Sequence, residues 1–225
     1  MHRIILVRHG QSIWNQDSKF TGWTNIPLTN YGRKEATYMA HSMIKKSIYP
    51  TVLFTSVLQR SIETSQLIQK EFKQYMPIHT SWRLNEKHYG TLEGVPRQHI
   101  RDLYGEPFTA MMRSNYTMKP PLIDYPTLQE YPIYKNCYFK TIQHGESKEN
   151  VLERLLPYYE NDILSTLSEN HTPLIVTHKH TARVLMKHVL KLSDDAFESY
   201  ELPKQMIVLY LNKELEYERK EEIPF

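Results

Sequence analysis

The sequence predicts an α/β fold, a three-layer sandwich with a mostly parallel central sheet, helices on both faces and an insertion over its ligand-binding edge. Three observations predict it. Short apolar runs rich in β-branched residues alternate with segments of helical period. The composition is ordinary for a globular protein, 40% hydrophobic and 24% charged over 225 residues, which suits one large domain covering residues 1–225. A stretch at about 86–146, rich in proline and then tyrosine, interrupts the alternation, and its aromatic content argues against a disordered linker.

Ile4–Val7 reads as a buried strand that ends in Arg8, His9 and Gly10. A helix follows over Gly32–Lys46. Its residues Ala36, Met39, Ala40, Met43 and Ile44 fall on one face, and Thr29 or Asn30 suits its cap. Val52–Thr55 is a second buried strand. Leu58–Phe72 reads as a helix with Ile62, Leu67, Ile68 and Phe72 inward, and a short strand is expected near Pro77–Thr80. Prolines 96, 107, 120, 121, 126 and 132 break any long regular element in the insertion. Ser147–Leu167 resumes helix, with Ser147 at its N-terminus and Val151, Leu155, Tyr158 and Tyr159 on one face. Leu174–Thr177 is a strand, Thr181–Lys191 a helix and Ile207–Leu211 the last strand. The mixed-charge segment Lys213–Glu222 reads as solvated, an exposed strand end or helix.

Composition excludes several classes. A net charge of +3 gives no case for nucleic acid. The single cysteine, Cys137, rules out an internal disulfide and fits a reducing compartment. No apolar run is long enough for a bilayer, and Arg8 cuts the first one short of a secretory pattern. A soluble, cytoplasmic protein with neither nucleic-acid nor membrane partners is expected.

Parallel sheets bind ligands beyond the C-terminal ends of their strands. Arg8 and His9 follow the first strand, Thr55 and Ser56 lead from the second to Arg60, and His178 follows Leu174–Thr177. The loop after Thr80 carries Glu86. Two histidines, two arginines and one carboxylate thus converge on one edge, although each alone has a mundane structural reading. The set suits phosphoryl transfer, where positioning and electrostatic stabilisation dominate. Arg8 and Arg60 would hold phosphoryl oxygens, with a protonated His178 beside them. His9 would be the nucleophile, kept neutral by a bond from its other nitrogen to a backbone carbonyl. Glu86 would exchange a proton with the leaving and attacking oxygens. A metal site is the competing reading of the histidines and carboxylate, but the adjacent arginines would repel a cation, so none is expected.

Four motifs carry a resemblance: LVRHGQS (Leu6–Ser12), FTGW (Phe20–Trp23), TSVLQRSIET (Thr55–Thr64) and WRLNEKHYGTLEG (Trp82–Gly94). They are similar to those of the bisphosphoglycerate-dependent phosphoglycerate mutases of the histidine phosphatase superfamily, from about Arg3 to Leu211. RHG alone marks the superfamily. FTGW with RLNEKHYG points to the mutase branch. The resemblance implies that His9 is the phosphorylated histidine and Glu86 the proton donor. Arg8, Ser12, Asn15, Arg60 and His178 would form the phosphate pocket. Thr21, Gly22, Tyr89, Arg97 and Arg113 match substrate-contacting positions. It also implies a small phosphorylated substrate, priming by 2,3-bisphosphoglycerate, no metal, and a homodimer for which residues 51–78 could supply the contact.

The chain departs from that pattern at several positions. Gln11 replaces a glutamate, Arg97 a lysine, and Ser114 the second arginine of a pair. The family's His-Gly-Asn-Ser becomes His178-Lys179-His180-Thr181. If the backbone there takes a positive φ, Lys179 costs on the order of 1 kcal/mol or more. Lys179 or His180 could instead restore, on the substrate side, the charge lost at Ser114. The chain also ends soon after its last predicted strand, which would leave an opener site and favour hydrolysis. Three functions follow as expectations: a phosphoglycerate mutase, a phosphohistidine-dependent phosphatase of small phosphate esters, or a family member with impaired catalysis and a binding role.

Overall fold

The structure, a computed structural model, describes residues 1–121, 145–169 and 171–225. The tyrosine-rich stretch Tyr125–Tyr138 and Cys137 lie outside the described residues. Six strands form one sheet: β1 (His2–Arg8), β2 (Val52–Thr55), β3 (Ile78–Thr80), β4 (Pro173–Thr177), β5 (Met206–Leu211) and β6 (Tyr217–Ile223), in the order β3-β2-β4-β1-β5-β6. The four strands from β3 to β1 are parallel, and β5 and β6 extend the sheet in antiparallel fashion.

Side chains alternate across β1, so it feeds two cores. Ile4 and Leu6 join Val52, Phe54, Ile175 and Ile207 on one face. Ile5 and Val7 join Leu53, Leu174, Val176 and Val208 on the other. The second face is covered by α2 (Asn30–Lys45) and α3 (Gln59–Phe72), through residues such as Met39, Met43 and Ile68. The first is covered by α5 (Lys148–Tyr158) and α6 (Lys179–Val189), through Val151, Leu155, Val184 and Leu185, with α7 (Asp194–Ser199) adding Phe197. The register pairs Thr55 with Val176 and Arg8 with Thr177. Residues following β2, β4 and β1 therefore leave the sheet side by side.

Several expectations are corrected. Ile207–Leu211 is not the last strand: of the two readings of residues 213–222, the exposed strand holds, and Tyr217–Ile223 is an edge strand on β5. Its residues other than Ile223 are exposed or half-buried, because an edge strand with one covered face needs little apolar sequence. The helix after Ser147 stays α-helical only to Tyr158, then continues as a π turn over Tyr159–Ile163 and a 3₁₀ segment. Pro157, which lacks an N–H and crowds the preceding turn, precedes that change. In α3 the buried face is polar (Arg60, Ser61, Thr64 and Ser65, with Ile68), while Ile62, Leu67 and Phe72 are only partly buried. Ile44 is exposed.

The insertion holds an unexpected helix, α4 (Arg97–Ser114), bent at Gly105, whose φ of 81° is not helical. Pro107, just past the bend, needs no N–H partner there. A straight helix would set Arg97 and Arg113 about 24 Å apart. A third apolar cluster of Phe20, Tyr89, Leu92, Val95, Ile100 and Met112 packs α4 against the segments around Phe20 and Tyr89. Among the described residues no helix is long and apolar enough to cross a membrane.

Candidate active site

The first turn after β1 is built tightly. The His9 amide continues the ladder to the Thr177 carbonyl at 2.9 Å. Gly10 donates to Thr64 Oγ1 on α3 at 3.2 Å. A Cβ at Gly10 would stand 2.2 Å from the Gly32 carbonyl oxygen, so the start of α2 packs directly on this glycine. His9 Nδ1 lies 2.6 Å from the Gly10 carbonyl oxygen. That oxygen can only accept, so Nδ1 carries the proton and Nε2 keeps its lone pair. Burial, reinforced by Arg60 and Arg8, holds the His9 pKa well below its usual value, and the ring is neutral.

His178 caps α6 at the end of β4, its ring centroid 4.8 Å from that of His9. Its Nε2 is bonded to Ser56 Oγ at 2.8 Å, and its buried Nδ1 has no partner. Burial first, then Arg60, His9 and Arg8, push its pKa well below 6.5. Burial first, and then the neighbouring cations, thus disfavour the protonated His178 that the sequence reading expects.

Arg60, 1% exposed in the first turn of α3, donates to the carbonyls of Gly22 (2.7 Å) and Thr24 (2.9 Å). It ties the FTGW turn to the start of α3. Glu93 holds the other side of that turn, accepting from the amides of Trp23, Thr24 and Tyr89 and from Thr24 Oγ1 at 2.8–3.1 Å. Glu86 Oε1 accepts from the amides of Lys87 (2.8 Å) and His180 (3.1 Å). Arg154 fixes the same segment by donating to the carbonyls of Asn85 and Glu86 while pairing with Glu146 at 2.7 Å.

The structure brings all the predicted site residues except Ser12 and His178 to the lining of one cleft, and adds Phe20. His178 packs its ring 4.8 Å from that of His9 without lining the cleft. Ser12 is buried and does not line the cleft. Its hydroxyl caps the one-turn helix α1 (Ile13–Gln16) by accepting from the Asn15 amide, and Asn15 Oδ1 accepts from the Ser12 amide in return. Asn15 Oδ1 also makes a long 3.5 Å contact with Arg8 Nη2. Thr21 Oγ1 is buried without a partner.

The departures from the family pattern sort out. Gln11 Oε1 accepts from Thr29 Oγ1 at 3.0 Å, and neither Gln11 nor Ser114 lines the cleft. Lys179 is the first residue of α6 and is not among the positive-φ residues, so the expected strain penalty does not arise. Among the described residues the charged heads of Arg97, Arg113 and Lys179 make no hydrogen bond or ion pair, although all three line the cleft. Burial and neighbouring cations lower the pKa of both Arg97 and Lys179. His180 is buried 6.0 Å from the Tyr89 ring, its Nδ1 unpartnered. Burial, then Lys148 and Lys87, drives its pKa well below 6.5.

Sequence reasoning missed Ser56, Glu93 and Arg154, which touch the site only through others. It also missed two fully buried lysines beside the cleft, Lys87 and Lys148, whose pKa values burial lowers to about 8 and about 6. Among the described residues no group of histidine, cysteine and carboxylate side chains could hold a metal ion.

Residues 4–218 match the family described as histidine phosphatase superfamily (branch 1). The chain belongs to that superfamily. Within it, the chain is 38% identical over 213 residues to the 2,3-bisphosphoglycerate-dependent phosphoglycerate mutase of Xylella fastidiosa (strain M23), covering 92% of this chain and 85% of that one. It is 36% identical over 224 residues to the enzyme of that name from Buchnera aphidicola subsp. Cinara cedri, covering 96% and 97%. It is thus an enzyme of the phosphoglycerate mutase family of the histidine phosphatases. Solved histidine phosphatase structures share its fold. A mycobacterial glucosyl-3-phosphoglycerate phosphatase superposes with a TM-score of 0.75 at 20% identity, covering 99% of this chain and 98% of that one. The α-ribazole phosphatase of Shigella flexneri gives 0.70 at 18%, covering 96% and 94%.

Proposed function

We propose that this enzyme interconverts 3- and 2-phosphoglycerate through a phosphohistidine at His9, primed by 2,3-bisphosphoglycerate. The observation that carries this reading is the 2.6 Å bond from His9 Nδ1 to the Gly10 carbonyl, which leaves Nε2 as a neutral nucleophile in a cleft lined by cations.

In the first half-reaction the Nε2 lone pair forms a bond to phosphorus as the phosphorus–oxygen ester bond breaks. The departing oxygen keeps the electron pair and takes a proton from the Glu86 carboxyl. In the second, the Glu86 carboxylate takes a proton from the acceptor hydroxyl, whose oxygen attacks phosphorus and releases Nε2. Arg8 and Arg60 stabilise the charge spread over the phosphoryl oxygens, and His178, held by Ser56 with its ring 4.8 Å from that of His9, packs beside the nucleophile. The primer's chemistry is to supply the phosphoryl group that charges His9. The chain's residues fit such a polyanion: among the described residues Arg97, Arg113 and Lys179 have no partner for their charges, and Thr21 Oγ1 is unsatisfied.

A phosphorus NMR time course with 3-phosphoglycerate, with and without a trace of 2,3-bisphosphoglycerate, tests the reading. Primer-stimulated 2-phosphoglycerate is expected. Free phosphate released without any need of primer would replace it with the phosphatase reading. His9→Ala is expected to abolish turnover and acid-labile phosphate on the protein, and surviving activity would sink the phosphohistidine step.

A further inference from the structure

The α6 N-terminus presents a lysine where the family pattern has a glycine, and the structure shows where that charge goes. Lys179 is half-buried and lines the cleft with Arg8, Arg60, Arg97 and Arg113, against Glu86 as the one lining carboxylate among the described residues. Its charged surroundings are mostly repulsive: Arg113 acts on it most strongly, then Arg8 and Arg183, with Glu201 the opposing influence. Lys179 thus shares one cleft lining with Arg8, which follows β1, and with Arg113, from the end of α4. Three cations held together without protein partners are unfavourable unless an anion joins them. The histidines facing the cleft are neutral, so they offer hydrogen bonds and not charge.

A phosphate ester carries about −1.5 to −2 at pH 7 and a carboxylate about −1. A monophosphorylated acid therefore leaves part of this cation cluster unmatched, whereas a second phosphoryl group would match it. We propose that Lys179 is a specificity-determining residue that makes the α4 end of the cleft a subsite for a second phosphoryl group, so that a bisphosphorylated acid is held in preference to a monophosphorylated one. This rests on the reading of the cleft as the phosphoglycerate site. It adds that the Gly-to-Lys departure strengthens retention of the doubly phosphorylated species rather than eroding the site.

Calorimetric binding tests it in a His9→Ala background, where no phosphoryl group can transfer to residue 9. The quantity is the ratio of Kd for 3-phosphoglycerate to Kd for 2,3-bisphosphoglycerate. Lys179→Met is expected to lower that ratio about tenfold, the scale of one charge-assisted contact in a partly dry site, and Lys179→Arg to preserve most of it. Circular dichroism and thermal unfolding establish that each variant is folded. A ratio unchanged in folded Lys179→Met overturns the proposal, as does a ratio that falls equally in Lys179→Arg. Because the measurement needs no turnover, it stands apart from the phosphohistidine test: a lowered ratio with no phospho-His9 would retain this inference and discard that mechanism.

Discussion

Gly22 sits at a φ of +51°, and a Cβ there would stand 1.9 Å from Glu93 Oε1. The carbonyl of this residue receives Arg60, and the carboxylate it would strike holds the amides of the next two residues. Gly22→Ala combines left-handed backbone strain with displacement of a buried, fully used carboxylate. A loss of about 2–4 kcal/mol in urea unfolding is expected, with a fall in kcat as Arg60 loses its anchor. Normal stability in that variant would show that the turn relaxes without cost. Position 93 shows what the sequence concealed. His9, Arg8 and Glu86 were legible because they sit at the ends of readable strands and in motifs. Glu93 lies within a quoted motif, yet nothing in its spacing says that its carboxylate accepts four hydrogen bonds. Lys87 and Lys148 were hidden for a related reason: lysine in a polar segment reads as solvated, and only tertiary packing buries it.

The apolar runs of β1, β2, β4 and β5 were legible to within one or two residues, because strands buried on both faces demand continuous apolar sequence, whether parallel or, like β5, antiparallel. The insertion was not, since its helix depends on a break. The bend at Gly105 brings the two ends of α4, and so Arg97 and Arg113, to one cleft. Among the described residues a Cβ at Gly105 would meet only Pro107 Cδ, at 3.7 Å. Gly105→Ala therefore tests the backbone alone. It is expected to cost about 1–2 kcal/mol and to raise KM for 3-phosphoglycerate several-fold through misplaced arginines, with kcat much less affected. Steady-state kinetics beside thermal unfolding will separate the two effects. At α2 the N-cap Thr29 accepts from the Gly32 amide at 2.9 Å. Thr29→Ala is expected to cost about 1 kcal/mol, and to loosen Gln11, whose side chain accepts from the same hydroxyl.

Across the whole molecule, three buried histidines, His9, His178 and His180, have pKa values well below 6.5. The unfolded chain takes up protons at these positions as pH falls through about 6.5, while the folded protein resists until lower pH. Stability therefore falls as pH drops below about 6.5, by up to about 1.4 kcal/mol per pH unit for each histidine. Lys148 and Lys87 act with the same sign at higher pH, favouring the folded state as pH rises from their folded values of about 6 and about 8 towards 10.5. Urea titrations from pH 5 to 8 should show this rise, and His178→Gln should flatten it below pH 6.5 by about one proton's worth of slope. A stability independent of pH across that range would mean that the histidines and Lys148 titrate normally.

The sheet order carries a consequence for how the chain is made. β4 lies between β1 and β2, both synthesised far earlier; Ser56 and His178, which meet across the finished site, are 122 residues apart. At synthesis rates of about 5–20 residues per second, the ribosome takes roughly 6–24 seconds to make the strand that fills that gap. Until then the two N-terminal strands face each other across a missing partner, with open backbone edges of the kind that seed aggregation. The nascent chain thus passes through a vulnerable interval, and its demand for a holding chaperone should end abruptly once β4 has cleared the exit tunnel.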